Sequence, residues 1–330
     1  AVRRDVRVRL LAVDVSSPLV VAVVGPTATG KSELGLALAE ALGGEVVNAD
    51  AMQLYRGMDV GTAKLSPAER RGIPHHQLDV LDVAEEASVA AYQRHARADV
   101  AAIHARGRRA VVVGGSGLYV RALLDRLEMP PTDPEVRARL EERARREGPG
   151  RLHDALAAVD PEAAARIDRA NTRRIVRALE VVEITGRPFS ATLPEHVYAV
   201  PAVQVGLDCA RDVLDARIAA RAKRMWASGL LDEAAALGPR MGRTASRAVG
   251  YAQALALLAG EVDEPTARAG TVTATRRLAR RQMTWFGRDP RVHWLPATAP
   301  DLVERALALV AAADRGELPD PPPRRRTLGS

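Results

Sequence analysis

Cysteine is almost absent from this sequence: the chain of 330 residues contains only Cys209. A disulfide framework or a Cys-rich zinc site needs several cysteines, so both are excluded, and one free thiol suits a reducing compartment. Long hydrophobic runs are missing as well. The apolar segment LVVAVV is far too short to span a bilayer, and Asp14 interrupts the one N-terminal stretch that imitates a signal peptide. We therefore expect a cytoplasmic protein that does not bind membranes.

Lysine and aromatic residues are also scarce. Only Lys31, Lys64 and Lys223 are lysines among the 48 basic residues, and Phe, Trp and Tyr make up 3% of the chain. The abundance of arginine is by itself weak evidence of function. The few lysines are more informative, because a compact ammonium and a planar guanidinium are not interchangeable at a tight phosphate site. The net charge of +7 favours a polyanionic partner such as nucleic acid.

Residues 25–32 read GPTATGKS and lie between the apolar run LVVAVV and a segment with helical spacing. This order predicts strand, loop and helix. Glycines at this spacing let backbone N–H groups converge on phosphate oxygens at a helix N-terminus. In this pattern the Lys31 ammonium lies against the terminal phosphates, and the Ser32 hydroxyl is a ligand for Mg²⁺. The predicted phosphate-binding residues are Gly25, Pro26, Thr27, Ala28, Thr29, Gly30, Lys31 and Ser32. The alternative is a turn that binds no ligand.

Four short β-branched runs end in loops and alternate with helical patterns: LVVAVVG, GEVVNAD, RRAVVVGG and AVQVGLDC. This alternation predicts an α/β fold with a P-loop NTPase-like parallel sheet flanked by helices. Ligands of such sheets bind outside the carboxyl ends of the strands. The loops around Gly25, Asp50 and Ser116 should therefore share one cleft.

Changes in composition divide the chain into segments. Residues from about 130 to 200 are dense in Ala, Arg, Glu and Leu and contain helix starts such as DPEVRARL, which predicts an all-helical insertion. We expect a basic, disordered leader at 1–18, a discontinuous α/β core at 19–129 and 200–298, the insertion at 130–199, and a C-terminal helix with a disordered Pro- and Arg-rich tail at 299–330.

The motifs leave several reactions open for the predicted cleft. A kinase needs a second carboxylate for Mg²⁺ at the end of a later strand, but AVVV leads into GGSGLY without an acid, and Asp208 is a weaker match. The loop is therefore better suited to binding a phosphate group than to hydrolysing ATP. Asp50 at the end of its strand is a general base, a metal ligand or the N-cap of a following helix.

Two further motifs have specific alternatives. Ser116 in GGSGLY resembles a hydrolase nucleophile elbow, but Leu118 stands where that pattern needs glycine. His75 and His76 have no additional ligand at metal spacing, so we interpret them as structural or hydrogen-bonding residues.

Two arginine-rich stretches favour RNA. In NTRRIVRALEVVE, a face of arginines lies beside an apolar stripe, the arginines being Arg173, Arg174 and Arg177 and the stripe Ile175, Val176, Leu179 and Val182. In TRRLARRQMTWFGR, arginines are interleaved with Trp285 and Phe286, which indicates base stacking or packing. A solvated arginine face is the alternative for each stretch.

Together these motifs resemble the bacterial tRNA dimethylallyltransferases. In chain order the matching blocks are GPTATGKS, NADAMQLYRGMDVGTAK, PHHQLD, GGSGLY, DPEVR, NTRRIVRALEV, RAKRMWASGLLDEA, SRAVGY and RRQMTWF, which cover most of residues 20–290. The resemblance implies transfer of a dimethylallyl group from dimethylallyl diphosphate to N6 of an adenosine beside the anticodon, in tRNAs that read UNN codons.

The resemblance also implies roles for individual residues. The P-loop would hold the donor diphosphate with Mg²⁺, and Asp50 would accept the N6 proton. Lys31, Ser32 with its Mg²⁺, and Arg221 would stabilise charge on the leaving diphosphate, while Ser116 would contact the acceptor near N6. The implied tRNA contacts are Asp50, Ala51, Met52, Gln53, Ser116, Arg137, Arg173, Arg174, Arg177, Arg247, Gly250, Tyr251, Arg280, Arg281, Gln282 and Trp285. We expect a monomer whose insertion closes on the tRNA anticodon stem-loop.

Three positions depart from the family pattern. Ser116 replaces the usual threonine, Ala51 replaces a serine, and Gly287 stands where arginine is common, so that Arg288 would serve instead. Three other functions stay open: a P-loop kinase for a small metabolite, a prenyltransferase for free AMP or ADP, and a non-catalytic RNA-binding module.

Overall fold

A computed structural model describes residues 18–192 and 196–321 of the chain. The chain divides into two compact units: the first runs to Asp125 and resumes at Tyr198, and the second extends from Arg126 to Val197. The predicted leader, except for its last residue, and the final part of the predicted tail lie outside the described residues.

The first unit contains, among the described residues, one parallel sheet of six strands in the order β3-β2-β4-β1-β5-β6. The strands are β1 Val20–Val24, β2 Gly44–Asn48, β3 His75–His76, β4 Arg109–Val113, β5 Ala202–Asp208 and β6 Val292–Pro296. All five residues of β1 and of β2 are buried, as expected for strands covered on both faces. The predicted α/β class and parallel sheet are confirmed.

Some helices connect these strands within the first unit, and others form the second unit. They are α1 Lys31–Ala41, α2 Val89–Ala105, α3 Gly117–Leu124, α4 Pro134–Glu147, α5 Pro149–Val159, α6 Pro161–Arg166, α7 Thr172–Thr185, α8 Arg211–Ala227, α9 Leu230–Leu237, α10 Tyr251–Leu258, α11 Glu264–Phe286 and α12 Leu302–Asp314. Several begin with an aspartate cap followed by proline. In α4, for example, Asp133 accepts hydrogen bonds from two backbone N–H groups and Pro134 occupies the first turn.

Two of the hydrophobic clusters among the described residues of the first unit pack close to the site. One lies between the sheet and the helices α1 and α12, where Val21, Leu38 and Val310 are buried. The other joins the loop after β2 to helices α8–α11 and includes Tyr55, Trp226 and Tyr251. Because this second core fixes the loop that follows Asp50, packing far from the sheet helps to position a predicted catalytic residue.

The second unit consists of helices α4–α7 and a short 3₁₀ helix at Phe189–Thr192, with no strand in its described part. Leu152, Leu156 and Ile175 are fully buried in its core. The predicted all-helical insertion is thereby confirmed. The apolar face of α7 includes Val181, whereas Val182, which the periodicity assigns to the stripe, is only half-buried.

Candidate active site

The segment Gly25–Ser32 leaves the carboxyl end of β1 and opens α1, as predicted. Gly30, with φ 94°, is the N-cap of α1, and Gly25, with φ 130°, lies so close to the strand β5 that a Cβ would be 2.9 Å from the carbonyl oxygen of Leu207. Both positions therefore need glycine. Within the loop, the Pro26 carbonyl accepts hydrogen bonds from Thr29 Oγ1 at 2.8 Å and Lys31 Nζ at 2.6 Å.

Three of the predicted catalytic residues form one electrostatic cluster. Burial and the nearby Arg221 guanidinium lower the pKa of Lys31 to about 7, while the Asp50 carboxylate opposes this change. Burial also lowers the pKa of Arg221, which Asp50 again opposes. Since these charges act on one another, the structure brings Lys31, Asp50 and Arg221 together although they come from distant parts of the sequence.

Asp50 lies at the carboxyl edge of the sheet in a tight polar turn. Its Oδ1 accepts a hydrogen bond from the Met52 N–H at 2.9 Å, and the buried Asn48 side chain bonds both the N–H and the carbonyl of Asp50 at 3.0 Å. Residues 51–54 and 56–57 form turns, and Tyr55 between them makes an isolated bridge with Leu81. The alternative of Asp50 as the cap of a helix over AMQLYRG is therefore wrong, because the carboxylate closes an Asx turn instead.

Ser116 lies at the corresponding end of β4, which pairs with β2. Its Oγ accepts a hydrogen bond from the Ala51 N–H at 3.0 Å, and its own N–H donates to the Ala49 carbonyl at 3.2 Å. The neighbouring Gly114 lies so close to this segment that a Cβ would be 2.2 Å from the Ala49 carbonyl oxygen. The loop that carries Ser116 and the loop that carries Asp50 are thus bonded directly to each other.

The Thr62 carbonyl connects the opposite side of the cluster. It accepts hydrogen bonds from Arg221 Nη2 at 3.2 Å and from Gln53 Nε2 at 3.1 Å. The loop that presents this carbonyl is itself fixed, because the Glu233 carboxylate accepts bonds from three consecutive N–H groups, those of residues 59–61. Arg221 is consequently held beside Gln53, a predicted tRNA contact.

A cavity of about 550 Å³ adjoins the P-loop. It is lined by Ala28–Gly30 of the loop, by three arginines of one face of α8, and by apolar side chains that include Leu302 and Val303. The arginines are Arg217, Arg221 and Arg224. Glu33 adds one carboxylate to this lining, so the three arginines leave a net positive charge beside the phosphate loop. A cavity of this kind with apolar walls matches an amphiphilic anion with a small hydrocarbon group.

The end of α11 reaches the same loops. Gln282 is 8% exposed; its Oε1 accepts a hydrogen bond from the Thr27 N–H at 2.8 Å, and its Nε2 donates to the Gly115 carbonyl at 3.0 Å. Trp285 is 40% exposed and packs on Gly117, where a Cβ would be 2.0 Å from the ring. Phe286 is buried, so of the two aromatic residues only Trp285 can offer a ring face to RNA.

The remaining predicted tRNA contacts of the first unit differ in exposure. Arg247, Arg280 and Arg281 are exposed. Gly250 and Tyr251 are buried, and the Tyr251 hydroxyl donates to the Glu233 carboxylate. An RNA contact through the side chain of Tyr251 or Gln282 stays a prediction, because the structure engages both side chains within the protein.

In the second unit, Arg137 and Arg177 share one buried carboxylate. Arg137 Nη2 lies 2.7 Å and Arg177 Nη1 2.8 Å from Oε2 of Glu180, whose side chain is fully buried. Burial would raise the pKa of Glu180, but these two arginines and the Asp133 N–H hold it below its usual value. Arg173 and Arg174 are exposed on the same helix.

The other motifs have structural roles. His76 Nε2 lies 2.7 Å from Oε2 of Glu45, and His75 Nδ1 lies 2.8 Å from the Ile73 carbonyl oxygen, in agreement with the hydrogen-bonding interpretation. No group of three or more His, Cys, Asp or Glu side chains suited to a metal ion occurs in the described residues. Nor does any helix among them have the length and apolar character to cross a membrane.

Sequence reasoning missed several residues that hold this site together. Glu233 acts through hydrogen bonds to backbone groups distant in sequence, which no local pattern reveals. Asn48 bonds both the adjacent Asp50 backbone and the distant Gln77 carbonyl, and Glu180 bonds two arginines. For Glu180 a signal does exist, since Arg177 lies three residues before it on a helix. The contact between Gln282 and the P-loop spans 255 positions and has no signal in a single sequence.

Comparison with known proteins identifies the family of this fold and site. Residues 53–289 match the model of the IPP transferase family. A curated relative from Streptomyces avermitilis, named tRNA dimethylallyltransferase, is 64% identical over 291 residues, which cover 87% of this chain and 93% of the relative.

Solved structures agree with the sequence match. The full-length tRNA isopentenylpyrophosphate transferase of Bacillus halodurans is 38% identical, with a TM-score of 0.66 over 91% of this chain and 97% of the other. A eukaryotic dimethylallyltransferase acting on tRNA is 25% identical, with a TM-score of 0.79 over 94% of this chain and 82% of the other. This chain, like the tRNA dimethylallyltransferases that its motifs resemble, belongs to the IPP transferase family.

Proposed function

We propose that this protein transfers a dimethylallyl group from dimethylallyl diphosphate to N6 of an adenosine beside the anticodon of tRNAs that read UNN codons, giving N6-isopentenyladenosine and diphosphate. One observation carries the proposal: the P-loop Lys31, the carboxylate of Asp50 and the guanidinium of Arg221 form one cluster. A group that holds diphosphate and a group that accepts a proton are thereby side by side. The names of the relatives support the same reaction.

On the acceptor side, Asp50 is the general base. The N6 lone pair attacks C1 of the donor, the N6–C1 bond forms, and the N6 proton passes to the Asp50 carboxylate. Asn48 and Ser116 restrain the turn that carries this carboxylate, which keeps it in position for proton transfer. Extruding the adenine from an anticodon loop costs a few kcal/mol or less, since its stacking there is already weak.

On the donor side, the C1–O bond breaks and its electron pair leaves with the diphosphate. Lys31 and Arg221 lie where this negative charge increases, and cations placed there lower the barrier. The lowered pKa of Lys31 is consistent with a site that binds an anion, because a bound diphosphate would stabilise the charged form of this side chain. The cavity beside the P-loop is large enough for the donor.

Magnesium fits this site as a partner of the diphosphate. Mg²⁺ usually keeps several waters and binds through one or two protein groups plus substrate phosphates. The Ser32 hydroxyl, in the first turn of α1 and exposed to solvent, is the protein group that would hold it. The ion would supply charge neutralisation for the leaving diphosphate.

The tRNA contacts that we propose are exposed residues, given for each unit separately. In the first unit these are Arg247, Arg280, Arg281 and Trp285, and in the second Arg173 and Arg174. Arginines bind the phosphates, while the half-exposed Trp285 ring is suited to stacking on a base. Because tRNA is the acceptor, we place the reaction in the cytoplasm. The monomeric state stays a prediction.

A transfer assay tests the proposal. The purified protein is incubated with Mg²⁺, radiolabelled dimethylallyl diphosphate and unmodified tRNA reading UNN codons, and the tRNA is digested to nucleosides. Label in N6-isopentenyladenosine is the expected result. Label transferred to added AMP or ADP instead would favour a prenyltransferase for free nucleotides. Phosphorylation of a small metabolite by added ATP would favour a kinase, and tRNA binding without transfer would favour a non-catalytic RNA-binding module.

A further inference from the structure

Among the described residues of α11, only Gln282 forms a hydrogen bond with the P-loop. The proposed reaction assigns no chemical role to this side chain. Its amide reaches two loops at once. Oε1 accepts from the Thr27 N–H at 2.8 Å in the diphosphate loop, and Nε2 donates to the Gly115 carbonyl at 3.0 Å in the loop of Ser116. The side chain is buried, so both bonds are protected from water.

The packing around this amide is close. A Cβ on Gly115 would lie 2.4 Å from Gln282 Nε2 and 3.3 Å from the carbonyl oxygen of Gly25. The Gly115 position therefore admits no side chain while the amide occupies this place. A backbone donor on one side and a backbone acceptor on the other also fix which end of the amide faces which loop.

These bonds continue towards the proton acceptor. Gly115 precedes Ser116, whose Oγ accepts from the Ala51 N–H, and Ala51 follows Asp50. Three hydrogen bonds, linked through the adjacent residues 115–116 and 50–51, thus connect the loop that holds the prenyl donor to the turn that carries the general base. Because the Thr27 N–H is already bonded to Gln282, it is not one of the loop donors available to phosphate.

We propose that Gln282 is a positioning residue that holds the donor loop and the acceptor loop in register, so that C1 of the donor and the Asp50 carboxylate face the same N6 atom. This role rests on the proposed transfer reaction and differs from a tRNA contact. Misplacing reacting groups by about 1 Å costs about 100-fold in rate. The loss should appear in kcat and not in the affinity for tRNA.

The experiment compares Gln282→Met, which removes both bonds at similar volume, and Gln282→Glu, which keeps the acceptor for Thr27 but sets a carboxylate oxygen against the Gly115 carbonyl. The control is Gln93→Met, which removes another partly buried glutamine amide that donates to the Ala122 carbonyl at 2.9 Å. Transfer kinetics, the Kd for unmodified tRNA and thermal unfolding are measured for each protein. If Gln282→Met fails to fold, the isosteric Gln282→Glu decides the result.

We expect both Gln282 variants to lose at least about tenfold in kcat while the Kd for tRNA changes by less than about twofold, and Gln93→Met to keep the wild-type kcat. A raised Kd or KM for tRNA with unchanged kcat would overturn the proposal in favour of a tRNA contact. Wild-type kcat in Gln282→Glu would also overturn it. An inactive wild type would contradict the transfer reaction itself, which separates the two failures.

Discussion

The Oγ atom of Ser116 accepts a hydrogen bond from the backbone N–H of Ala51 at 3.0 Å, although 65 positions separate the two residues. The bond exists because β2 and β4 are paired in the sheet, which brings the loops after their carboxyl ends together. The hydrogen-bond donor is the backbone N–H of residue 51, so the replacement of the family's serine by Ala51 leaves this bond intact. Threonine at position 116, which also carries a hydroxyl on Cβ, would keep the acceptor.

Ser116→Ala should therefore lower the rate of transfer. Loss of the acceptor leaves a partly buried N–H beside Asp50 without its partner, which costs about 1 kcal/mol, or roughly fivefold to tenfold if the cost falls on the transition state. Ser116→Thr restores the hydroxyl and is the control. Single-turnover transfer measures both, and equal rates for Ser116→Ala and wild type would show that the bond does not serve catalysis.

Diphosphate binding should take up a proton. Lys31, whose pKa burial lowers to about 7, is largely neutral at about pH 8, and a bound anion favours its charged form. Calorimetry of diphosphate binding with Mg²⁺, in buffers of different ionisation enthalpy, measures this uptake. Lys31→Arg carries a permanent charge and should take up less. The same uptake in both proteins would mean that Lys31 does not titrate on binding.

The same pKa has a consequence for stability. A lysine whose folded pKa lies below its unfolded value binds fewer protons in the folded state, so the free energy of unfolding rises with pH between about 7 and the usual 10.5. Lys31→Met should remove this part of the pH dependence in the absence of diphosphate. Thermal unfolding over this range measures it, and unchanged slopes in the variant would contradict the assignment.

Glu180→Gln should destabilise the helical unit. The change removes the negative charge that Arg137 and Arg177 share, and breaking such a buried arrangement costs about 2 kcal/mol. Glu183→Gln is the control, because Glu183 pairs with Arg139 at the surface, where an ion pair contributes little. Since the pKa of Glu180 is lowered, its contribution is present above the usual value near 4.5 and is lost as the pH falls through the folded value. Unfolding by denaturant measures both variants, and equal stabilities would contradict this role.

Trp285→Ala should weaken tRNA binding with little effect on kcat. A ring that stacks on a base contributes about 1–3 kcal/mol, so we expect the Kd for tRNA to rise about tenfold. Trp285→Phe keeps a ring face and should recover most of the affinity. Binding of unmodified tRNA, measured at constant salt because phosphate contacts are salt-dependent, distinguishes stacking from packing on Gly117. An unchanged Kd in Trp285→Ala would exclude stacking.

Sequence patterns were sufficient for the strands that end at the site and insufficient for the edges of the sheet. Strand β1 is a continuous apolar run and β4 has one after Arg109, while β2 and β5 combine β-branched residues with buried polar side chains. These runs are recognisable because the central strands are buried on both faces. In contrast, β3 is only His75–His76 and β6 reads VHWLP, so neither edge strand has an apolar run that predicts it.

The residues of the site were likewise predictable only where a local sequence pattern defines them. A local motif predicts the P-loop because the residues that define its pattern lie within eight consecutive positions. Sheet topology predicts that the loops carrying Lys31 and Asp50 share one cleft. Arg221 was expected beside them only from the family resemblance, since it comes from a helix distant in sequence. The burial of Gln282 and Tyr251 follows from tertiary packing, which a single sequence does not reveal, whereas the family resemblance implied that both contact tRNA.

The most direct test of the account is the single-turnover rate of dimethylallyl transfer to unmodified tRNA by wild type and by Asp50→Asn, which keeps the shape and the Met52 hydrogen bond but cannot accept a proton. Loss of a general base costs about 100-fold to 10,000-fold. We therefore predict transfer by wild type and at least a 100-fold slower rate in the variant, with the Kd for tRNA unchanged. A variant as fast as wild type would contradict the role of Asp50, and a wild type that transfers no label to tRNA would contradict the reaction.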